Sequence, residues 1–335
     1  MMTSHKAIQE IVFESDSALP EWLSGVSQPI VLRGLVRHWP IVQAGLSSSR
    51  AAADYLLGFD QNLPLTVYQA AAEADGRIFY NDDMTGFNFD RTRQTLSKVL
   101  EALFALDASQ PMPSYYVGST LIDRWLPGFR QHNDLSMGKT EHLMSLWLGN
   151  RSRIAAHYDF PCNIACSVVG RRRFTLFAPD QADNLYIGPL DLTPSGQPIS
   201  LVDAAQPDFG RFPKYRAALE SSISVELEPG DALYIPSMWW HQVESLASFN
   251  VLINYWWRTT PAYMGSPLNA LQLAVLSLRD LPPEQRTIWR DIFDRYVFEQ
   301  GDEDWQHIPE HARGVLKEID EATANNIRAQ LRRLL

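Results

Sequence analysis

Between residues 145 and 256 the chain is a succession of short apolar runs closed by Pro or Gly. They are Ser145–Gly149, Ile154–Asp159, Asn163–Val169, Arg171–Phe177, Ser224–Leu227, Ala232–Ile235 and Asn250–Trp256. Short strands with that punctuation predict a mainly β double-sheet jelly roll. Upstream, Pro29–Gly34 is a strand closed by Gly, and a helix starts near Ser47 with Ser as its cap and runs to Leu57. Residues 64–70 and 77–80 predict strands separated by a polar turn at Ala74-Asp75-Gly76. Thr95–Leu106 carries Leu96, Val99, Leu100 and Leu103 on one helical stripe. Residues 113–119 return to strand, and 120–142 read as irregular or partly helical.

The polar stretch 180–222, rich in Pro, Asp and Gly, predicts a long surface insertion, the kind of loop that is functional or mobile. After Pro261 the period changes from two to about 3.6. Leu268, Leu271, Val275 and Leu278 form one stripe, Pro282-Pro283 breaks it, and Ile288, Ile292 and Tyr296 start another. A last helix begins near Asp320 and carries Ile327, Leu331 and Leu334. Two regions follow: a jelly-roll domain with N-terminal helices over 1–260, and a helical segment over 261–335. The apolar stripes of the latter pack either on the barrel or on a second copy, and the second is favoured.

Composition narrows the classes. A hydrophobic content of 45% with 20% charged residues is that of a soluble globular protein, and ten Trp suit a barrel filled by large rings. The net charge of −10 argues against a nucleic-acid backbone as partner and leaves a peptide or a small molecule. Two cysteines, Cys162 and Cys166, imply no disulfide framework and read as buried thiols. The opening MMTSHKAIQEIVFESD lacks the pattern of a secretory leader, and no apolar run reaches the roughly 18 residues of a membrane helix. Together these place the protein in the cytoplasm. Dinucleotide, NTP and serine-hydrolase fingerprints are absent from the sequence.

His157-Tyr158-Asp159 with the distant His241 is the pattern on which the chemistry turns. On a strand alternate side chains share a face, so His157 and Asp159 can both point inward while Tyr158 points out. His241, after the strand Ala232–Ile235 and its turn, supplies a third ligand. Two histidines and one carboxylate hold ferrous iron on one triangular face and leave three positions open. Pro229-Gly230-Asp231 is a hairpin signal ahead of that strand.

Arg172 shares a strand face with Phe174 and Leu176. With that face inside the barrel, its guanidinium is buried and demands an anion, either a protein carboxylate or a bound diacid. With the opposite face inside, it is solvated. Tyr116, Asn163 and Asn254 are polar positions on barrel-like strands that either bind ligand or satisfy the core. Trp239-Trp240 read as walls of the pocket, and His307, His311, His132 and His142 as surface or structural residues.

Taken together, the motifs His157-Tyr-Asp-x-x-x-Asn163, Gly170-Arg-Arg-Arg-Phe-x-Leu-Phe-x-Pro179, Gly230-Asp-x-Leu-Tyr-Ile-Pro-x-x-Trp-Trp-His241-x-Val-Glu-Ser-Leu246 and Asn254-Tyr-Trp256 resemble the JmjC/cupin-like hydroxylases, especially the asparaginyl hydroxylases among them. Pro-Ile-Val-Leu-Arg-Gly34 and Trp39-Pro40 match the entry strand of that family, and the resemblance covers most of residues 7–260. It implies a double-stranded β-helix that uses Fe(II) held by His157, Asp159 and His241, with 2-oxoglutarate as co-substrate. Tyr116 and Arg172 would bind the distal carboxylate, with Asn163 and Asn254 nearby. Two positions depart from the pattern: Arg172 stands where Lys is usual, and Ile154 where a Thr hydroxyl is expected. The C-terminal helices resemble the dimerising tail of the same family, which implies a homodimer. The alternatives are a catalytically silent metal-binding cupin acting as an interaction module, and a zinc cupin isomerase, which would want a further ligand.

Overall fold

The computed structural model describes residues 6–14, 19, 23, 25–107, 109–138, 140–194, 196–299, 301 and 305–335. The segment on which the leader expectation rests lies partly outside them. Contacts divide the chain into two units, to Thr259 and from Thr260.

In the first unit the strands are β1 Gln9–Val12, β2 Ile30–Arg33, β3 Leu65–Ala70, β4 Arg77–Ile78, β5 Phe89–Gln94, β6 Ser114–Leu121 and β7 His142–Gly149. They continue as β8 Ser152–Tyr158, β9 Cys162–Val169, β10 Arg172–Phe177, β11 Ile223–Leu227, β12 Ala232–Ile235, β13 Trp240–Ser245 and β14 Asn250–Trp257. One sheet has the order β1-β2-β12-β9-β14-β7-β6-β3-β5, the other β11-β10-β13-β8-β4. This is a cupin/JmjC-type jelly roll: two facing sheets between which successive strands cross.

Period-two alternation sorts the side chains. On β9, Cys162, Ile164, Cys166 and Val168 face the helical side of the large sheet, whereas Ala165 faces the opposite sheet. On β14, Val251, Ile253, Tyr255 and Trp257 face the helices, so Leu252, Asn254 and Trp256 face the barrel interior. The outer side is covered by α1 Pro40–Ser47, α2 Ser49–Leu57 and α3 Leu96–Phe104. All four stripe residues of α3 are buried there. The N-cap of α2 is Ser48, whose Oγ accepts from the Ala51 amide at 3.0 Å. A separate helix α1 precedes it, which apolar period alone did not separate; Pro40 opens it and Ile41 and Val42 bury its inner side.

Two expectations are corrected. The Pro229–Asp231 turn is not a hairpin, because β11 and β12 lie in different sheets. Asp231 ties the crossing down: its carboxylate accepts from the Gly34 amide at 2.8 Å, from Arg33 at 2.8 Å and from the Glu228 amide at 3.1 Å. Gly230, at φ +102°, sits against the backbone of Arg37, where a side chain would crowd it. The charged strand β5 carries no apolar run and so left no strand signal. Finally, 180–222 is not merely a surface insertion. It contains α5 Tyr215–Ser221, and its Leu185, Val202, Tyr215 and Ala218 are buried against Ala156, Phe177 and Trp240.

In the second unit, α6 Pro267–Leu278, α7 Pro283–Phe293 and α8 Glu321–Leu334 follow the predicted stripes. Asp320 caps α8 by accepting from the Thr323 amide at 2.7 Å. Neither α6 nor α7 contains a buried residue. Among the described residues no helix is long and apolar enough to cross a membrane.

Candidate metal centre

His157 and His241 stand opposite each other in the β8–β13 ladder, with ring centroids 4.3 Å apart. His241 was expected just past the end of β12; it is the second residue of its own strand, β13. Polar Gln242 and Glu244 hid that strand from a search for apolar runs. A turn brings it into place. Met238, held at φ +68°, donates its amide to the Asp159 carbonyl at 2.9 Å, and Ser237 Oγ donates to the Phe160 carbonyl at 2.6 Å. The loop after β8 and the loop before β13 are thus stitched together, which sets Asp159 beside His241.

The two rings are oriented in the same way. His157 Nδ1 bonds the Ala155 carbonyl at 2.9 Å and His241 Nδ1 bonds the Trp239 carbonyl at 3.0 Å. A carbonyl accepts only, so each Nδ1 carries the proton and each Nε2 is left as a lone-pair donor. His241 Nε2 lies 3.5 Å from Asp159 Oδ2, and one ligand atom from each of the three residues falls within 4.8 Å of the others. That is the donor set and tautomer a divalent transition metal requires.

Electrostatics agree with this ligand state. Burial and the neighbouring His241 push His157 down to about 4, so it is neutral near pH 7. Burial works to raise Asp159, but His241 and His157 outweigh it and hold the carboxyl below its ordinary range.

The triad opens into a cavity of about 320 Å³ between the sheets. Arg172, Tyr116, Asn163 and Asn254 all line it. Arg172 is 3% exposed and points inward with Phe174 and Leu176, as one of the sequence alternatives required. It forms no ion pair among the described residues, and its Nε has no hydrogen-bond partner. Burial pulls its pKa down to about 10, with Tyr116 partly opposing, and burial also raises the Tyr116 phenol. Leu176 pairs with His241, and Arg172 stands four residues before it on β10, roughly 13 Å away in backbone rise. The cation and the triad therefore enter one cavity from backbone positions well separated along the strand.

Asn163 and Asn254 belong to one hydrogen-bonded row. Trp147 Nε1 donates to Asn254 Oδ1 at 2.7 Å, and Asn254 Nδ2 donates to Asn163 Oδ1 at 3.3 Å. Ile154 also lines the cavity and gives it an apolar wall where a hydroxyl was expected.

The sequence misplaced one wall and missed others. Trp239 and Trp240 do not line the cavity: Trp239 Nε1 donates to the Ser27 carbonyl at 2.9 Å, and Trp240 packs edge-on against Tyr158 outside the barrel. The aromatic walls are Tyr68, Trp147 and Trp256, on strands whose parity a strand-by-strand reading would have exposed. From the 180–222 segment come Pro194, Gln197 and Ile199, with Ile199 bridged to His157 and the Ser200 amide donating to the Ala156 carbonyl at 2.8 Å. His307, His311 and His132 are exposed. His142 instead accepts from Arg130 at 2.8 Å. Both cysteines are buried and free, and burial pushes the Cys166 thiol up.

The model of the cupin-like domain matches residues 16–263. Jumonji C domain-containing protein 5 of Drosophila melanogaster is 28% identical over 236 residues, covering 69% of this chain and 54% of that protein. Lysine-specific demethylase JMJ31 of Arabidopsis thaliana is 28% identical over 185 residues, 55% of this chain and 31% of that protein. HSPB1-associated protein 1 of Homo sapiens is 34% identical over 121 residues, 36% of this chain and 24% of that protein. The matches thus span about half or less of these relatives' own lengths.

Proposed function

The chain belongs to the cupin-like family of JmjC type, and from that premise we propose that it is an Fe(II)- and 2-oxoglutarate-dependent oxygenase. It would hydroxylate a protein side chain or a small molecule and release succinate and carbon dioxide. The observation that carries this reading is Arg172, a buried cation with an orphaned Nε that shares a cavity with a two-histidine, one-carboxylate cluster. Leaving a charge buried and unpaired costs several kcal/mol, so the position makes physical sense only beside a ligand anion. A relative named as a demethylase points to the same class of chemistry.

His157, Asp159 and His241 would hold the metal, which when bound supplies oxygen activation to the site. The two carbonyls on Nδ1 keep the imidazoles in the ligating tautomer without any change on binding. The Arg172 guanidinium and the Tyr116 hydroxyl hold one end of the diacid, and the length of the cavity directs its other end to the triad. The Trp147–Asn254–Asn163 row fixes the polar wall between them. Phe174, Leu252 and Ile154 exclude water along the diacid's methylenes.

Anaerobic addition of Fe(II) and 2-oxoglutarate tests the reading. A visible charge-transfer band, followed by succinate on aeration, is the expected result. With neither, the interaction-module alternative replaces it. We further propose a cytoplasmic homodimer joined through α6 and α7, whose Leu271 and Ile288 are 44% and 58% exposed. Light scattering on the full chain and on Leu271→Glu/Ile288→Glu tests this: a dimeric parent and a monomeric variant are expected.

A further inference from the structure

The large sheet ends at β5. This strand pairs with β3 along its whole length, from Phe89 opposite Ala70 to Gln94 opposite Leu65, and among the described residues no strand lies on its other side. Its backbone donors and acceptors that point away from β3 are left for a further strand. Cross-strand partners share a face of the sheet. Arg91 stands opposite Tyr68, which lines the cavity, so Arg91 lies on the cavity side. Arg93, two residues on, shares that side.

Arg91 marks the mouth of the cavity. Its guanidinium lies 5.2 Å from the Tyr68 ring centre and donates to the Pro194 carbonyl at 3.4 Å, and both partners line the cavity. Arg93 leads away from the mouth and donates to the Pro64 carbonyl at 2.8 Å. The same carbonyl accepts from Trp125 Nε1 at 3.4 Å, at the end of α4 Ile122–Trp125. Arg124 of that helix lies 4.6 Å from the Trp125 ring centre. Three exposed guanidiniums thus follow one another from the mouth along the terminal strand.

None of the three has a carboxylate partner among the described residues, although the chain carries a net charge of −10. Asp90 alternates to the opposite face of β5, and Asp123 is held by Arg130 at 2.9 Å. Rings and carbonyls orient these guanidiniums without neutralising them, and leave the rest of each fork for an anion. The other end of the same sheet differs: its edge strand β1 carries Glu10, which Arg33 neutralises at 2.7 Å. An extended polypeptide matches both features of β5. Its side chains return to one face every second residue, roughly 7 Å, the interval between Arg91 and Arg93, while its amides complete the free edge. A nucleic acid would use the charges alone and would be repelled by the rest of an acidic protein.

We propose that an acidic, extended segment of a polypeptide docks along β5, adding to its free edge and pairing with Arg91, Arg93 and Arg124, and so brings a neighbouring residue of that polypeptide to the cavity mouth. The docking surface stands on its own geometry; the delivery of a residue for reaction rests on the oxygenase reading, whose partner class it names.

The test uses short fluorescein-labelled peptides of alternating Glu and Thr, the same peptide with Lys for Glu, the Glu peptide N-methylated at alternate residues in each of the two registers, and an oligo-dT of similar length. Anisotropy is read on the metal-free full chain. The Glu peptide is expected to bind and the Lys peptide not, and N-methylation is expected to abolish binding in one register. Arg91→Glu/Arg93→Glu should weaken the Glu peptide about tenfold, the product of two exposed ion pairs of a few-fold each. The same variant should recruit the Lys peptide, a gain that a misfolded chain could not give. Charge on a terminal strand also guards against edge-to-edge aggregation; that role alone would leave the Glu peptide unbound and would overturn the proposal. So would equal binding of the Lys peptide, binding of oligo-dT as tight as that of the Glu peptide, undiminished binding in both N-methylated registers, or an unchanged preference in the variant. Failure of the oxygenase reading alone would look different: the Glu peptide bound by the metal-free chain, with no Fe(II)–2-oxoglutarate band.

Discussion

His157 and His241 form a cross-strand pair in which each imidazole is anchored by the same device, a hydrogen bond from its Nδ1 to the carbonyl two residues earlier. Both rings are therefore set as Nε2 donors before any metal arrives, and Asp159 completes the cluster from the end of β8. The cost of organising the ligands is met on folding, so metal binding and stability can be changed separately.

His157→Ala is expected to abolish metal-dependent 2-oxoglutarate turnover while leaving the fold intact. Losing an outer partner of a ligand typically costs about 10- to 100-fold in metal affinity; losing a ligand should cost more. Isothermal titration with Fe(II) or Mn(II) under nitrogen, with far-UV circular dichroism as the fold control, measures both. Turnover at the parent rate would remove His157 from the metal.

The metal-free protein should lose stability in acid in two steps. His157 titrates at about 4 in the folded chain, below its ordinary 6.5. The unfolded chain thus takes up the proton first, and stability falls as pH drops from about 6.5 to about 4. The loss is on the order of 3 kcal/mol. Asp159 is depressed too, so its contribution is present above its ordinary range and disappears at still lower pH. Urea midpoints at pH 7, 5.5 and 4.5 should decline in the parent and decline less in His157→Ala.

Arg172→Met is expected to split stability from function. Removing a buried, unpaired guanidinium for a side chain of similar length should stabilise the ligand-free protein by about 1–3 kcal/mol. The same change should raise the 2-oxoglutarate requirement far more than it alters iron affinity. Thermal shifts with and without 2-oxoglutarate test this; an equal shift for parent and variant on adding the diacid would remove Arg172 from the co-substrate site. Conversely, Ile154→Thr restores a hydroxyl to the wall and should tighten 2-oxoglutarate binding.

Asp203 fastens the 180–222 segment to the barrel. It accepts from Arg153 at 2.8 Å and lies 3.8 Å from Arg77, on the two strands β8 and β4 that flank the site. Asp203→Ala should expose the stretch around Ile199 to limited proteolysis and raise the substrate KM, with metal affinity little changed. Identical proteolysis of parent and variant would show that the neighbouring backbone bonds suffice.

Much of this molecule is legible in local pattern. Strand parity alone puts His157 with Asp159 and Arg172 with Phe174, and helical period alone marks the inner face of α3, because both periodicities are properties of the backbone. What local pattern could not show are the elements whose reason lies elsewhere in the fold. β13 has polar Gln242 and Glu244 on its outer face, and β5 carries Asp90, Arg91 and Arg93 among polar Thr92 and Gln94, so neither looks like a strand until its neighbours provide the ladder. The hairpin expected at Pro229–Asp231 and the walls expected from Trp239 and Trp240 failed because a turn's sequence does not say which sheet the next strand joins. Likewise, only the assembled barrel decides that Arg172 finds no carboxylate partner among the described residues, that Trp147 and Trp256 face the cavity, and that Gln197 from a loop rich in polar residues lines it. Ligand identity is fixed by side-chain chemistry, which a sequence carries in full; partnership is fixed by which strands meet across the two sheets, and distances through space are not written along a chain.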